Sequence, residues 1–595
     1  MESKWNMYAK KADFARLAET YHIDPVVARI MVNRDISEDE MEQYLKPSLE
    51  DLHDPHLLKD VDLSVELLMK AVKDGSKIRI IGDYDIDGIN STYILHQALI
   101  RVGADVDYAI PHRMEDGYGI NESMVEKAYE AGVKLIITCD NGIAARSAIA
   151  TAKLHDMTVI VTDHHAIPYE EVNGERIEVL PEADAIVNPH QSDCRYPFPE
   201  ICGAVVAWKL VFVLFERAGL GAEAAYDYLG NAAFATVGDI MPLRDENRSI
   251  VKLGLRAIAG TKNPGLNALI ERLQIDRNNL STYHLGFLMG PCFNASGRLD
   301  TAVDAIELME ETDSARAISR AAELVNMNEE RKALTRIGDE KAFDLIESQN
   351  MAEDDVLIVY IPELHESLAG IVAGHIKERY FKPTFVFTDA KDGGLKGSGR
   401  SIPAYSMYDK LHECQEFLSK YGGHPMAAGV SLPKENLEAF RRKMNQLANL
   451  TEDDKTPVIH IDVPMPLAYV SEELIHELDL LEPFGNGNEK PVFAVKHIPI
   501  KRISYMGKEN QYLRIIFRIE DGREMTGLYF RGSEELEAEI REVYGDLAWE
   551  NAMRGQANDI YLTITYFPQI NEYRGNISLQ ALITGVKTDK IKNNR

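Results

Sequence analysis

Cysteine is scarce in this chain and shows no paired spacing: five residues in 595, Cys139, Cys194, Cys202, Cys292 and Cys414. That excludes a disulfide framework and leaves no thiolate cluster for zinc, and it suits a reducing cytoplasm. Long apolar runs are missing too. No stretch approaches the roughly 20 residues that span a bilayer, and Met1-Glu2-Ser3-Lys4-Trp5 does not start a basic region followed by an apolar one. A soluble, cytoplasmic protein with no membrane part is the expectation. Positive charge is also short, 65 Lys and Arg against 95 Asp and Glu, a net charge of -30. Such a balance argues against an exterior that grips nucleic acid through its phosphates. It leaves room for one strand held in a local basic channel on an acidic body.

What the chain has is a crowd of acids. Gly82-Asp83-Tyr84-Asp85-Ile86-Asp87-Gly88 follows the apolar run Lys77-Ile78-Arg79-Ile80-Ile81. Carboxylates so close repel one another in a partly buried site unless a cation neutralises them. An EF-hand loop would place a bidentate Glu at its twelfth position, which here is Ile94, and a helix rather than a strand before it. The same grammar then recurs: Lys134-Leu135-Ile136-Ile137-Thr138-Cys139 runs into Asp140-Asn141-Gly142, and Thr158-Val159-Ile160-Val161-Thr162 into Asp163-His164-His165. Helix-like segments from Ser91 to Val102 and Ala144 to Leu154 separate these runs, the pattern of a parallel sheet. Ligands of such sheets bind beyond the carboxyl ends of the strands, so Asp83, Asp85, Asp87, Asp140, Asp163, His164 and His165 should converge. Oxygen donors with one or two imidazoles favour Mn2+ or Mg2+ over zinc.

The length implies three or four domains. We expect a multidomain α/β protein: a charged, helical leader over residues 1-74, ending in the amphipathic Val61 to Val72; a parallel-sheet domain over 75-310, covered by a helix from Val205 to Ala218; a long connecting helix over 311-350, capped by Asp313 or Ser314; a smaller α/β domain over 351-452; and a small β-barrel over 453-595. In the last, Arg514, Phe517, Arg518, Tyr529, Phe530, Arg531, Tyr573 and Arg574 interleave charge with aromatic rings, which suits base stacking in a charged groove. Barrel alternation directs about half of them into the core.

Taken together, Asp83-Tyr84-Asp85-Ile86-Asp87-Gly88 and Asp163-His164-His165 resemble the DHH phosphoesterase superfamily. Asn188-Pro189-His190, Gly238-Asp239-Ile240-Met241-Pro242-Leu243, Phe293-Asn294-Ala295-Ser296-Gly297-Arg298, Gly397-Ser398-Gly399-Arg400, Gly422-Gly423-His424 and Glu482-Pro483-Phe484-Gly485 follow in the order of RecJ-type single-strand exonucleases. The resemblance runs from Pro47-Ser48-Leu49-Glu50-Asp51-Leu52 to Asn571-Glu572-Tyr573-Arg574-Gly575. It implies a DHH domain, a DHHA1 domain and an oligonucleotide-binding barrel, and 5'-to-3' digestion of single-stranded DNA to mononucleotides in repair and recombination. It also implies a two-metal site of Mn2+ or Mg2+. Asp85, Asp87, Asp140, His164 and Asp239 are then the main ligands, Asp140 the bridge and Asp83 a further ligand. Asp163 and Asn141 support them, and His165 contacts the scissile phosphate or protonates the leaving group. Arg113, Asn294, Arg298, Ser398, Arg400 and His424 are the expected substrate-binding residues, and a helicase and a single-strand DNA-binding protein the expected partners.

The chain departs from the family pattern twice. A basic residue usually precedes the Asn of the Asn294 motif, where this chain reads Gly290-Pro291-Cys292-Phe293. Leu364-His365-Glu366-Ser367-Leu368-Ala369-Gly370-Ile371 replaces an aromatic-His-Gln-Gly pattern, and Glu366 brings negative charge to the phosphate path. Two rival functions fit the same α/β units. One is a DHH phosphodiesterase or pyrophosphatase for short oligonucleotides or small phosphates, against which the barrel-like region after Thr456 argues. The other is a silent nucleic-acid-binding subunit, against which the full set of acids and histidines argues.

Overall fold

The computed structural model describes residues 3-113, 116-172, 175-520, 522-573 and 575-589. The described chain divides into two compact units, one from residues 52-457 and one combining residues 3-51 with the segment from 458 onward. Among the described residues no helix is long and apolar enough to cross a membrane.

In the first unit the β-branched runs form a five-stranded, all-parallel sheet in the order Val106–Ala109, Ile78–Ile81, Leu135–Cys139, Thr158–Thr162, Ala185–Val187. Every residue of Leu135–Cys139 is buried, as expected of a central strand covered on both faces. One cover is the helix Gly203–Arg217, buried throughout from Gly203 to Phe215. From Ile78–Ile81 the chain passes through the helix Ile86–Arg101 to one side of the sheet, then returns to lay Leu135–Cys139 on the other. The crevice where such a sheet changes winding direction is its ligand-binding position. Here it is flanked by the turns that carry Asp83 and Asp140.

A helix of 35 residues, Ser314–Ser348, leads out of this region, its first turn capped by the Asp313 carboxylate on the Arg316 amide. It ends at a mixed sheet ordered Lys420–His424, Ala427–Leu432, Leu395–Arg400, Thr384–Asp389, Leu357–Tyr360, in which only the last pair is parallel. The strand Leu395–Arg400 alternates strictly: Leu395, Gly397 and Gly399 are buried, while Lys396, Ser398 and Arg400 stand on the other face.

The second unit is a closed barrel. Phe493–Met506 pairs with both Tyr512–Arg518 and Tyr561–Tyr573, and Glu524–Tyr529 and Asn576–Thr588 complete the ring. Closure leaves these strands without a free edge. Leu513, Ile515 and Phe517 fill the interior and alternate with exposed Arg514 and Arg518, so Phe517 is a core residue and not a stacking surface. Phe530 and Arg531 are exposed and Tyr529 half-buried; Arg574 and the side chain of Tyr573 lie outside the described residues. Lys4–Met7 runs parallel to Val458–Ile461, and Val27, Ile30 and Met31 join the barrel core. The helix Val61–Lys73 packs in the other unit, so the segment read as one leader contributes to both.

Candidate active site

The acids of the first motif meet because the chain turns sharply from strand to helix. Asp85 caps the helix Ile86–Arg101, its Oδ1 accepting from the amides of Asp87 (3.0 Å) and Gly88 (3.1 Å). Asp87 lies within the first turn, with its two oxygens accepting from Gly203 (2.6 Å) and Ala204 (2.7 Å), the first amides of the long covering helix. An anion there satisfies free amides and complements the helix dipole. Gly203 also lets the helix start lie against Asp140: a Cβ at that position would fall 2.7 Å from the Asp140 Cβ. Asp140 itself adopts left-handed backbone geometry, φ 60°, which an aspartate tolerates better than most residues.

Three overlapping sets of donor atoms result, each with members within 4.8 Å of one another: Asp83, Asp85 and Asp140; Asp140, His164 and His165; Asp87, His164 and Asp239. Asp140 and His164 each belong to two sets. The His164 Nε2 lies 3.2 Å from Asp140, 3.5 Å from Asp87 and 3.6 Å from Asp239. Two of these acids have buried oxygens without a hydrogen bond of normal geometry: both oxygens of Asp83, which the Tyr84 and Gly119 amides approach, and Oδ1 of Asp140, which faces the His164 ring. Burial and then mutual repulsion push the carboxyls of Asp83, Asp140 and Asp239 well above the usual range. Burial also raises Asp87, against the pull of His164, and lowers His164. Native interiors rarely leave carboxylate oxygens unpaired. Hard oxygen donors without partners, joined by one or two imidazoles, fit divalent Mn2+ or Mg2+. Asp83, the acid that spacing alone does not separate from Asp85, is the one with neither oxygen in a hydrogen bond of normal geometry.

The supporting residues are fully bonded. Asp163 Oδ1 accepts from the amides of His164 and His165 and sits 2.8 Å from the His165 ring, and its Oδ2 accepts from Ile143. Burial alone would discharge His165, yet this bond and the surrounding acids lift it to about 9. Asn141 donates to the carbonyls of Ile81 and Cys139 and accepts from Ile120, tying two strand ends together. Asn188 donates to the His165 carbonyl. Tyr118, which sequence reasoning passed over, donates to the Asp140 carbonyl at 3.0 Å and reaches the His165 ring at 3.1 Å. No spacing signal announces it.

Beside the acids opens a cleft of about 460 Å3 whose lining includes Tyr84, Arg113, Tyr118, Arg298, Glu366, Lys396, Ser398 and Arg400. Arg113 stacks over Tyr84 at 4.6 Å. The Arg298 Nη1 donates to the Ser367 carbonyl at 2.5 Å. Arg400 donates to its neighbour Gly399 and packs on Gly370, where a Cβ would fall 2.9 Å from the guanidinium. Burial and the charges of Arg113, Arg331 and Arg400 depress Arg298 to about 9. Among the described residues, none of Arg113, Arg298 and Arg400 has a carboxylate within ion-pair distance, so the cleft concentrates positive charge. Two expected substrate residues stand apart. Asn294 is turned inward, its Oδ1 accepting from the Ile86 amide and so fixing the start of the Asp85 helix. His424 is exposed at the end of its strand, where the turn to Ala427 carries it beyond the residues that line the cleft.

Residues 77–236 match the DHH family, N-terminal domain, residues 353–450 the DHHA1 domain and residues 461–585 the RecJ OB domain. The chain is similar to the single-stranded-DNA-specific exonuclease RecJ of Escherichia coli, 31% identical over 95% of this chain and 96% of that one. It is also similar to RecJ of Bacillus subtilis, 34% identical over 87% of this chain; the match spans 65% of that relative's length. The crystal structure of RecJ in complex with Mn2+ from Thermus thermophilus superposes with a TM-score of 0.81 at 26% identity, covering 98% of this chain and 79% of that one.

Proposed function

The chain belongs to the RecJ family of single-stranded-DNA-specific exonucleases, and on that premise we propose that it hydrolyses single-stranded DNA from the 5' end to mononucleotides, with Mn2+ or Mg2+, in DNA repair and recombination. One observation supports this most directly. The unpaired arginines and the unpaired carboxylates share a wall, because Tyr84 and Tyr118 line the cleft while Tyr118 also touches Asp140 and His165.

Asp83, Asp85, Asp87, Asp140, His164 and Asp239 are the residues that would hold the cations. A bound pair of such ions supplies Lewis acidity toward the phosphoryl oxygens and lowers the pKa of a water. The chain's own groups do the rest. Arg113, Arg298 and Arg400, with Ser398, hold the terminal phosphate through charge-assisted bonds, so the next phosphodiester falls at a fixed short distance along the Tyr84-Tyr118 wall. Cleavage at one fixed step releases single nucleotides. His165, held by its 2.8 Å bond to Asp163, is placed to neutralise charge on the reacting phosphate or to give a proton to the leaving oxygen. The barrel with its exposed Arg514, Arg518, Phe530 and Arg531 is suited to holding the trailing strand, and a helicase and a single-strand DNA-binding protein in the cytoplasm would present it.

The test is digestion of single-stranded DNA bearing free or blocked 5' ends, in Mn2+ or Mg2+, with Asp140→Ala as control. Release of mononucleotides from free 5' ends, reduced at least about 100-fold in the variant, is expected, since loss of a metal ligand exceeds the effect of losing an outer-sphere partner. Undiminished digestion by the variant, or none by the unaltered protein, overturns the proposal.

A further inference from the structure

Lys396, Ser398 and Arg400 project from alternate positions of one strand face, about 7 Å apart. All three line the cleft, yet the two cations among them are handled differently. Arg400 has no acidic partner among the described residues, whereas the Lys396 ammonium is 3.1 Å from Glu366 Oε1. The Glu366 side chain is only 17% exposed and its Lys396 partner 45%. Glu366 opens the short turn Glu366–Leu368, and Arg298 clamps that turn through the Ser367 carbonyl. The carboxylate is therefore built into the cleft wall and not a freely moving surface acid.

The geometry points to Glu366 as the residue that makes this cleft select a strand end over a strand passing through, an inference resting on the exonuclease reading above. Through its pair with Lys396 it removes one lining cation from the face that carries Arg400, leaving Arg113, Arg298 and Arg400 clustered at one end and Lys420 two strands away. A terminal phosphate carries a charge of about -1.5 to -2 at neutral pH and needs only that arginine cluster. A continuous strand that ran on past Arg400 along the same face would lay a phosphate over Lys396 and meet the Glu366 carboxylate. Electrostatic mismatch of this kind discriminates by penalising the wrong ligand as well as by favouring the right one.

The experiment compares the full-length protein, Glu366→Gln and the double variant Glu366→Gln/Lys396→Met. Binding of circular single-stranded DNA, which has no end, is measured at 50 and 200 mM salt beside the KM for linear 5'-phosphorylated DNA. Freeing Lys396 adds one phosphate contact, which steepens the log-log salt dependence for the circle by about 0.7 and makes the gain about threefold larger at the lower salt. The KM for the linear strand changes less, and Lys396→Met cancels the gain. Unchanged affinity and slope for the circle in Glu366→Gln overturn the inference, as does a gain that survives removal of Lys396. An unaltered protein that degrades no linear strand would instead overturn the exonuclease reading, and the circle comparison reads Glu366 independently of that result.

Discussion

Replacing Asp83 with asparagine should stabilise the metal-free protein while weakening its hold on metal. Asp83 is 1% exposed, and the Tyr84 and Gly119 amides approach its carboxylate without completing a hydrogen bond of normal geometry. Burial and the neighbouring Asp85 raise its carboxyl well above the ordinary range. A buried polar group without a partner costs about 1-3 kcal/mol, and a charged one more. Asparagine removes the charge and keeps the shape. At about 2-4 °C per kcal/mol for large domains, this corresponds to a rise of roughly 2-12 °C in the unfolding midpoint. The sign with pH follows from the raised folded-state value: the unaltered acid favours folding below its unfolded-state range, and that contribution is lost as pH rises through the folded-state value. The advantage of Asp83→Asn should therefore be small near pH 4 and grow toward pH 8. The assay is thermal unfolding in chelator across that range, repeated with excess Mn2+. Metal should raise the midpoint of the unaltered protein, since a ligand that binds only the folded state stabilises it, and should raise the variant less. A variant no more stable than the original at pH 8 in chelator would refute the reasoning, because the oxygens would then have partners that compensate their burial.

Further expectations concern other parts of the molecule. Arg400→Ala should raise KM for 5'-phosphorylated strands about 10-100-fold, the worth of about 1.5-3 kcal/mol in charge-assisted bonds, and affect 5'-hydroxyl strands less; uniform weakening on both ends would indicate plain backbone contact. Metal loading should release protons, since Asp83, Asp87, Asp140 and Asp239 all hold theirs more tightly than usual without it. Calorimetry in buffers of different ionisation heat measures that release, and buffer-independent heats would contradict it. Lys209 and Glu246 form a pair at 2.7 Å with side chains 1% and 0% exposed, so Lys209→Met alone should cost about 3-5 kcal/mol by stranding the carboxylate. Lys209→Met combined with Glu246→Leu should cost less in denaturant unfolding, and an equal or larger loss would show that the two do not act as a pair.

The comparison of sequence with structure divides along the range of the forces involved. Ile78-Ile81, Leu135-Cys139 and Thr158-Thr162 announce themselves as strands through their own residues, and parallel strands bring their carboxyl ends to one edge. Asp83, Asp85, Asp87, Asp140 and the Asp163-His164-His165 run could therefore be grouped from the chain alone. Asp313 likewise marks the start of its helix by local capping chemistry. The bonding of each side chain was not legible, because it depends on partners distant in sequence. Asp87 uses both oxygens on the helix that begins at Gly203, whereas Asp83 uses neither. Asn294 turns to the Ile86 amide, and His424 stays outside the cleft. Tyr118 belongs to no motif and was found only through its contacts with Asp140 and His165.

The sequence by itself thus determined the kind of chemistry, since residue type and local periodicity set where acids, imidazoles and guanidiniums lie along strands and turns. Tertiary structure alone decided which of those groups lack a compensating bond among the described residues: the oxygens of Asp83, Oδ1 of Asp140, the three arginines of the cleft, and not Lys396, which Glu366 neutralises. Whether a charge is compensated depends on what the fold brings within a few ångströms of it, and neighbours along the chain do not encode that.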